Sequence, residues 1–372
     1  MLSWTVHDFP RDRLDPAATT GLILCGMGGP DGPESVGPFL HNLFRDPAVL
    51  PLPAPLARVV GSAIARRRLD KVRERYASLG HSGGSPQLDW TRRQCQHLEA
   101  RHAMQGLVVL ARPAMRYWHP FPHETVAELL ALGARQFVVV PAYPQFSAAT
   151  SGTTLAAVYH AITQAAPRAA MHCLVEWHQL PGYLEALVER TAPVLQAWLT
   201  EGTPPERCAL LPVAHSLPER FIKRGDPYLR QTQATAASVR GLLAARLAHH
   251  ADWWNALPGG GRPLLAFQSR VGPVRWLGPD SEAETVRLVR GGCRRLLVLP
   301  LSFTCEHIET LHELDVELAA TARTAGCEDF VRGAALNLDE RWLDSLTTKI
   351  ATRAFPPAVA HHAIVHERES HA

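Results

Sequence analysis

Residues 298–315 read VLPLSFTCEHIETLHELD, and they deliver a row of carboxylates and histidines off the end of an apolar, strand-length run, Leu296–Leu301. A helix started by Thr304 would carry Glu306, Glu309, Glu313 and Glu317 at i, i+3, i+7 and i+11, so the four acids share one face. Like charges along one stripe repel unless a cation or shared protons relieve them, which is the condition for handling protons or a metal ion. A solvated acidic face is the alternative. Position argues against it, because open α/β sheets place their sites at the carboxyl ends of strands. A second segment, ALLPVAHSLPERF at 209–221, sets His215 just past another strand, in the loop before the helical register resumes. An imidazole there can accept a proton near neutral pH, whereas a lone histidine elsewhere is more often a satisfied polar group.

Arginines and aromatics cluster in three more loops: Arg116-Tyr117-Trp118-His119-Pro120, Tyr143-Pro144-Gln145-Phe146-Ser147 and Trp276-Leu277-Gly278-Pro279. Their rings suit a flat apolar slot, with core packing as the alternative for any one of them. Other chemistries fit poorly. The loop Gly26–Gly32 puts Asp31 where a dinucleotide loop needs its third glycine, and Pro30 removes a backbone donor. HIETLH lacks the glutamate and spacing of a zinc-protease helix.

The elements that position these residues are strands alternating with amphipathic helices. Strand-like runs occur at Gly21–Cys25, Leu107–Ala111, Gln136–Val140, His172–Glu176, Ala209–Val213, Leu264–Gln268 and Arg295–Leu299, the pattern of parallel βαβ units. ETVAELLALGARQFVVVPAYPQFS from Glu124 echoes ETVRLVRGGCRRLLVLPLSFTCE from Glu284, each preceded by an arginine loop at Arg116 or Arg270. The fold expected is α/β, two similar doubly wound Rossmann-like halves with parallel sheets and a cleft between them. The halves span 15–165 and 166–335, a helix at 336–356 packs back, and 357–372 is a mobile tail with four histidines. Pro212 interrupts its strand and implies an edge or a bulge there.

With 372 residues, 46% of them apolar and 20% charged, the chain reads as a soluble globular protein, longer than the roughly 250–300 residues at which single cores divide. A formal charge of +3 without a dense basic–aromatic pattern argues against nucleic acid. The local basic run at Arg66, Arg67 and Arg68 suits one anionic group. Seven scattered cysteines without C-x-x-C spacing point to a reducing compartment. No signal-peptide pattern or long apolar run appears, so a cytoplasmic enzyme is expected. The apolar segment 49–64 fits either a membrane surface or a core helix.

Several motifs together resemble the ferrochelatases, lyases that insert ferrous iron into a porphyrin: MGGP at Met27, AHSLP around His215, RGDPY from Arg224, FQSRVGPVRWLGP from Phe267 and FTCEHIETLHELD from Phe303. The resemblance runs in order from about residue 20 to 355 and sits nearer the protoporphyrin-using members. It implies porphyrin and Fe(II) as substrates, a chelatase-like cleft and no tightly bound cofactor. His215 and Glu309 become the catalytic pair and metal ligands, with Glu306, His307 and Glu313 in the polar path beside them. Met27, Arg116, Tyr143 and Trp276 line the macrocycle pocket, Leu43 and Phe44 form its apolar lip, and Arg68 and Ser85 lie near the propionates. Peripheral contact with the inner face of a membrane through the 43–64 lip is a further expectation, drawn from the apolar composition of that segment. Glu306 stands where aspartate is usual and His312 where tyrosine is. Ala148 replaces a cysteine of iron–sulfur-containing relatives, so no cluster is expected. A coproporphyrin, cobalt or nickel chelatase and a non-catalytic porphyrin or haem carrier are the competing functions.

Overall fold

The computed structural model describes residues 4–47, 49–50, 52–258, 264–270 and 274–356. The tail expected to be mobile and positions 271–273 of the FQSRVGP motif lie outside them.

Eight strands form two parallel sheets of four. The first holds β1 (Thr20–Gly26), β2 (Val109–Met115), β3 (Gln136–Pro141) and β4 (Met171–Cys173) in the order β2-β1-β3-β4. The second holds β5 (Cys208–His215), β6 (Ala266–Gln268), β7 (Arg295–Pro300) and β8 (Asp329–Arg332) in the order β6-β5-β7-β8. The two orders are the same topology repeated. The echoed segments occupy equivalent places, each a helix (Pro122–Ala131 or Ser281–Arg290) leading into the third strand of its sheet. Each third strand is followed by a π-helical stretch, Ala148–Gly152 in one half and Glu309–Leu318 in the other. Continuous burial of β1, β3 and β7 explains their unbroken apolar runs, since helices cover both faces.

Three expectations need correction. β4 pairs with β3, so the first sheet runs past the division drawn at 165/166. β8 adds a strand beyond the seven apolar runs, because DFVR is short and only partly buried. Pro212 is neither at an edge nor in a bulge: β5 lies between β6 and β7 and stays in register through Pro212↔Leu299. The proline is tolerated because the β6 ladder begins only at Val213, leaving Pro212 a strand partner on one side alone.

Each half keeps a buried cluster of its own, and a larger one lies between them. One buried cluster joins Leu22, Leu24, Val138 and Val140 of the first sheet to Leu210, Leu297 and Leu299 of the second. The helix Pro181–Thr200 and the C-terminal helix Glu340–Ala354 contribute Tyr183, Leu187, Trp342 and Leu346 to that cluster. Gly182 lets these two helices meet, since a Cβ there would run into the Arg341 carbonyl. The Tyr183 hydroxyl donates to the Leu301 carbonyl at 2.6 Å, tying this helix to the chain just past β7. At the open end, the helices Val36–Arg45 and Ala54–Ala77 form a lip. Ala57 and Ala65 are buried there while Leu56 and Val59 face outward, so the 49–64 segment is part core and part exposed.

Candidate functional site

His215 ends β5 and Gln268 ends β6, and the two are register partners. β5 therefore delivers the imidazole to the carboxyl end of its sheet, beside the segment leaving β7. The ring is held by its neighbours. Its Nδ1 lies 2.6 Å from the Ser216 carbonyl, and the Tyr228 hydroxyl donates to the His215 carbonyl at 2.8 Å. A carbonyl only accepts, so Nδ1 carries a proton, and in the neutral tautomer the lone pair lies on Nε2. Nε2 is 3.8 Å from Oε1 of Glu309.

Glu309 opens the π-helix Glu309–Leu318, not an α-helix begun at Thr304. Acids fall at 309, 313 and 317, and buried side chains at Thr310, Leu314 and Leu318, both every four residues. Glu306 consequently does not lie on the stripe. It sits in the turn before the helix, where Arg332 at 3.0 Å and the Ala335 N–H at 2.8 Å both reach its Oε1.

His307 also has a defined job in this turn. Its Nδ1 accepts the backbone N–H of Glu309 at 3.0 Å, fixing the first helical residue. Burial, with His215 and Arg332 nearby, pushes its pKa down to about 3, so the ring stays neutral. Glu309 is shifted the other way. Burial, reinforced by the Glu313 charge and opposed by His215, raises its carboxyl to about 7. Its Oε2 is buried without a hydrogen-bond partner among the described residues. Glu313 accepts from the Ser269 hydroxyl and, at 3.1 Å, from Gln268, whose amide also reaches the Glu309 carbonyl. The repulsion anticipated from the sequence is met by a cation at Glu317, which pairs with Arg75 at 2.6 Å, while burial moves Glu309 toward its protonated form.

The first half closes the opposite side. Met27 comes directly after β1, and its carbonyl accepts the Tyr117 N–H at 3.0 Å. Met27 and Leu43 pack, together with Ile308, against a cluster containing Phe39, Leu40, Phe44 and Tyr117, so the lip touches the residue next to Glu309. Arg68 lies 5.7 Å from the Phe44 ring centroid. Ser85 donates its N–H to the Pro30 carbonyl at 2.7 Å beside the Met27 loop. Arg116 is held by Asp46 at 2.7 Å, and Asp46 also accepts from Tyr117 at 2.8 Å. Tyr143 lies just past β3; burial, with the charge of Glu309 contributing, holds its phenol well above its ordinary value. Trp276 bridges to Pro218, three residues past His215.

Sequence reasoning missed Arg332, Arg75, Gln268 and Asp46. Arg332 had a signal of a kind, since crowded acids demand a cation, but nothing in the sequence said which arginine supplies it. No described helix is long and apolar enough to cross a membrane.

A family model for ferrochelatase matches residues 19–354. A ferrochelatase of Gloeobacter violaceus is 36% identical over 337 residues, covering 90% of this chain and 97% of that protein. One from Caulobacter vibrioides is 36% identical over 331 residues, covering 88% of each. Among solved structures, SirB from Bacillus subtilis with Fe3+ superposes with a TM-score of 0.48 at 12% identity, over 90% of this chain and 96% of that one.

Proposed function

The chain belongs to the ferrochelatase family and is a porphyrin metal chelatase; on that premise we propose that it inserts Fe(II) into protoporphyrin IX to make haem b. The observation that carries the site assignment is the approach of His215 Nε2 to Glu309 at 3.8 Å, where a strand of one sheet and the helix leaving its neighbour meet under the lip of the other half.

Insertion replaces two pyrrole N–H protons with a divalent ion, so the site must take protons while loosening the metal's water. His215 is built for the first task, with a free Nε2 lone pair fixed by the carbonyl on Nδ1. Glu309, poised at about 7, accepts or releases a proton near neutral pH and passes it toward Glu313. Imidazole and carboxylate together suit brief custody of Fe(II), because tighter ligation would hold back an ion that must leave for four ring nitrogens. Met27, Arg116, Tyr143 and Trp276 would wall the macrocycle and favour a distorted ring closer to the transition state. Leu43 and Phe44 would form its lip, with Arg68 and Ser85 taking the propionates. In this reading the protein has no resident cofactor and no iron–sulfur cluster. It works in the cytoplasm, with Leu56 and Val59 offering peripheral contact to the inner face of a membrane.

Anaerobic incubation with Fe(II), Co(II) or Ni(II) and either protoporphyrin or coproporphyrin, monitored by absorbance, tests the reading. Protoporphyrin with Fe(II) should give the highest kcat/KM. A preference for another pair would reassign substrate and metal, and tight haem binding without insertion would mark a carrier. His215→Ala and Glu309→Gln should each lower kcat by about 10²–10⁴-fold. Porphyrin affinity, read by fluorescence quenching, should stay near that of the parent.

A further inference from the structure

We propose that Arg332 is a positioning residue for Glu309, holding both sides of the turn from which that carboxylate projects. The inference rests on the reading of Glu309 as the acid of metal insertion. Arg332 ends β8, and its guanidinium forks onto two carboxylates. Nε and Nη2 donate to the two oxygens of Asp315 at 2.6 and 2.8 Å, and Nη1 donates to Glu306 at 3.0 Å and to the Gly333 carbonyl at 3.1 Å. The Arg332 and Glu306 side chains are only 9% and 11% exposed.

Glu306 precedes Glu309 and Asp315 comes after it, so one rigid cation from the neighbouring strand fixes the chain on either side of the reactive group. The turn is tied further by the Glu306 N–H to Asn337 Oδ1 at 3.0 Å and the Asn337 N–H to the Thr304 carbonyl at 2.9 Å. Baring the buried Glu306 carboxylate is costly, so it must track Arg332 wherever β8 places it, while the more exposed Asp315 is held by the two-pronged contact. Its hydrogen bonds go to Glu306, Asp315 and Gly333 and not to His215 or Glu309, so it acts through position. Lysine offers a point charge on a flexible stem and cannot reproduce the fork.

Arg332→Lys and Asp315→Asn in the full chain test this, with kcat, both KM values and the thermal midpoint measured on whichever metal and porphyrin the parent accepts. A shift of Glu309 of about 1 Å costs on the order of 10²-fold, so Arg332→Lys should lose that much kcat with porphyrin KM nearly unchanged. Asp315→Asn, which keeps the Glu306 contact, should lose less in the same direction. A kcat within about threefold of the parent in Arg332→Lys overturns the proposal, as does a rise in porphyrin KM that matches the fall in kcat. Should Arg332→Lys fail to fold, Asp315→Asn decides, and an unchanged kcat overturns it. A parent that inserts no metal would instead sink the chelatase reading.

Discussion

Glu309 illustrates how one side chain trades stability for chemistry. Its ordinary pKa is 4.5 and the folded site raises it to about 7, so between these values the native state holds more protons than the unfolded chain. Stability contributed through this group is therefore complete at low pH, falls as pH rises through that window, and is level above it. Glu309→Gln removes the penalty of burying the ionised form. Its thermal midpoint should match the parent near pH 4 and exceed it above pH 7, by a margin that melts across that range will show. An unchanged difference at all pH values would mean the carboxyl is not desolvated as described. His307 was expected in the polar path; in the structure it stands in the turn beside Glu309. Its ring, neutral and accepting an N–H at Nδ1, acts there as a helix cap.

At the scale of elements, the π-helix meets the lip helix Ala54–Ala77 across the opening. Arg75 pairs with Glu317, and Ser78 lies 3.1 Å from His312, which is itself 3.5 Å from Glu317. These groups are partly exposed, so the bridge contributes at most about 1 kcal/mol to global stability. Its effect should be local. Arg75→Ala is expected to leave the thermal midpoint nearly unchanged while speeding amide exchange along 309–318, measurable by hydrogen–deuterium exchange. Equal protection in variant and parent would show that the helix does not depend on the lip. None of this was legible in advance, because Arg75 and Glu317 are 242 residues apart. The π-helix was also hidden, since a four-residue recurrence over ten residues passes for a slightly irregular α-helix.

For the molecule as a whole, the shared core matters most. Because one apolar cluster spans both sheets, unfolding should be a single transition, coincident by far-UV circular dichroism and tryptophan fluorescence. Trp342 is fully buried and stacks on Trp177 at 5.6 Å between ring centroids, so Trp342→Ala should cost about 3–5 kcal/mol and move both signals together. Two separate transitions would restore the picture of independent halves.

The amino-acid sequence by itself determined the α/β class, the repeated halves, seven of the eight strands and the facing motifs of His215 and Glu309. These rest on local patterns, apolar runs and the residues just past their carboxyl ends, which a short window of chain contains. Tertiary structure alone decided that Glu306 turns aside to Arg332, that Asp46 holds Arg116, that β4 joins the first sheet and that one core cluster is shared between the two halves. Each of these joins segments distant in the chain, and their pairing arises from how the packed sheets bring charges and apolar faces together, which no local spacing encodes.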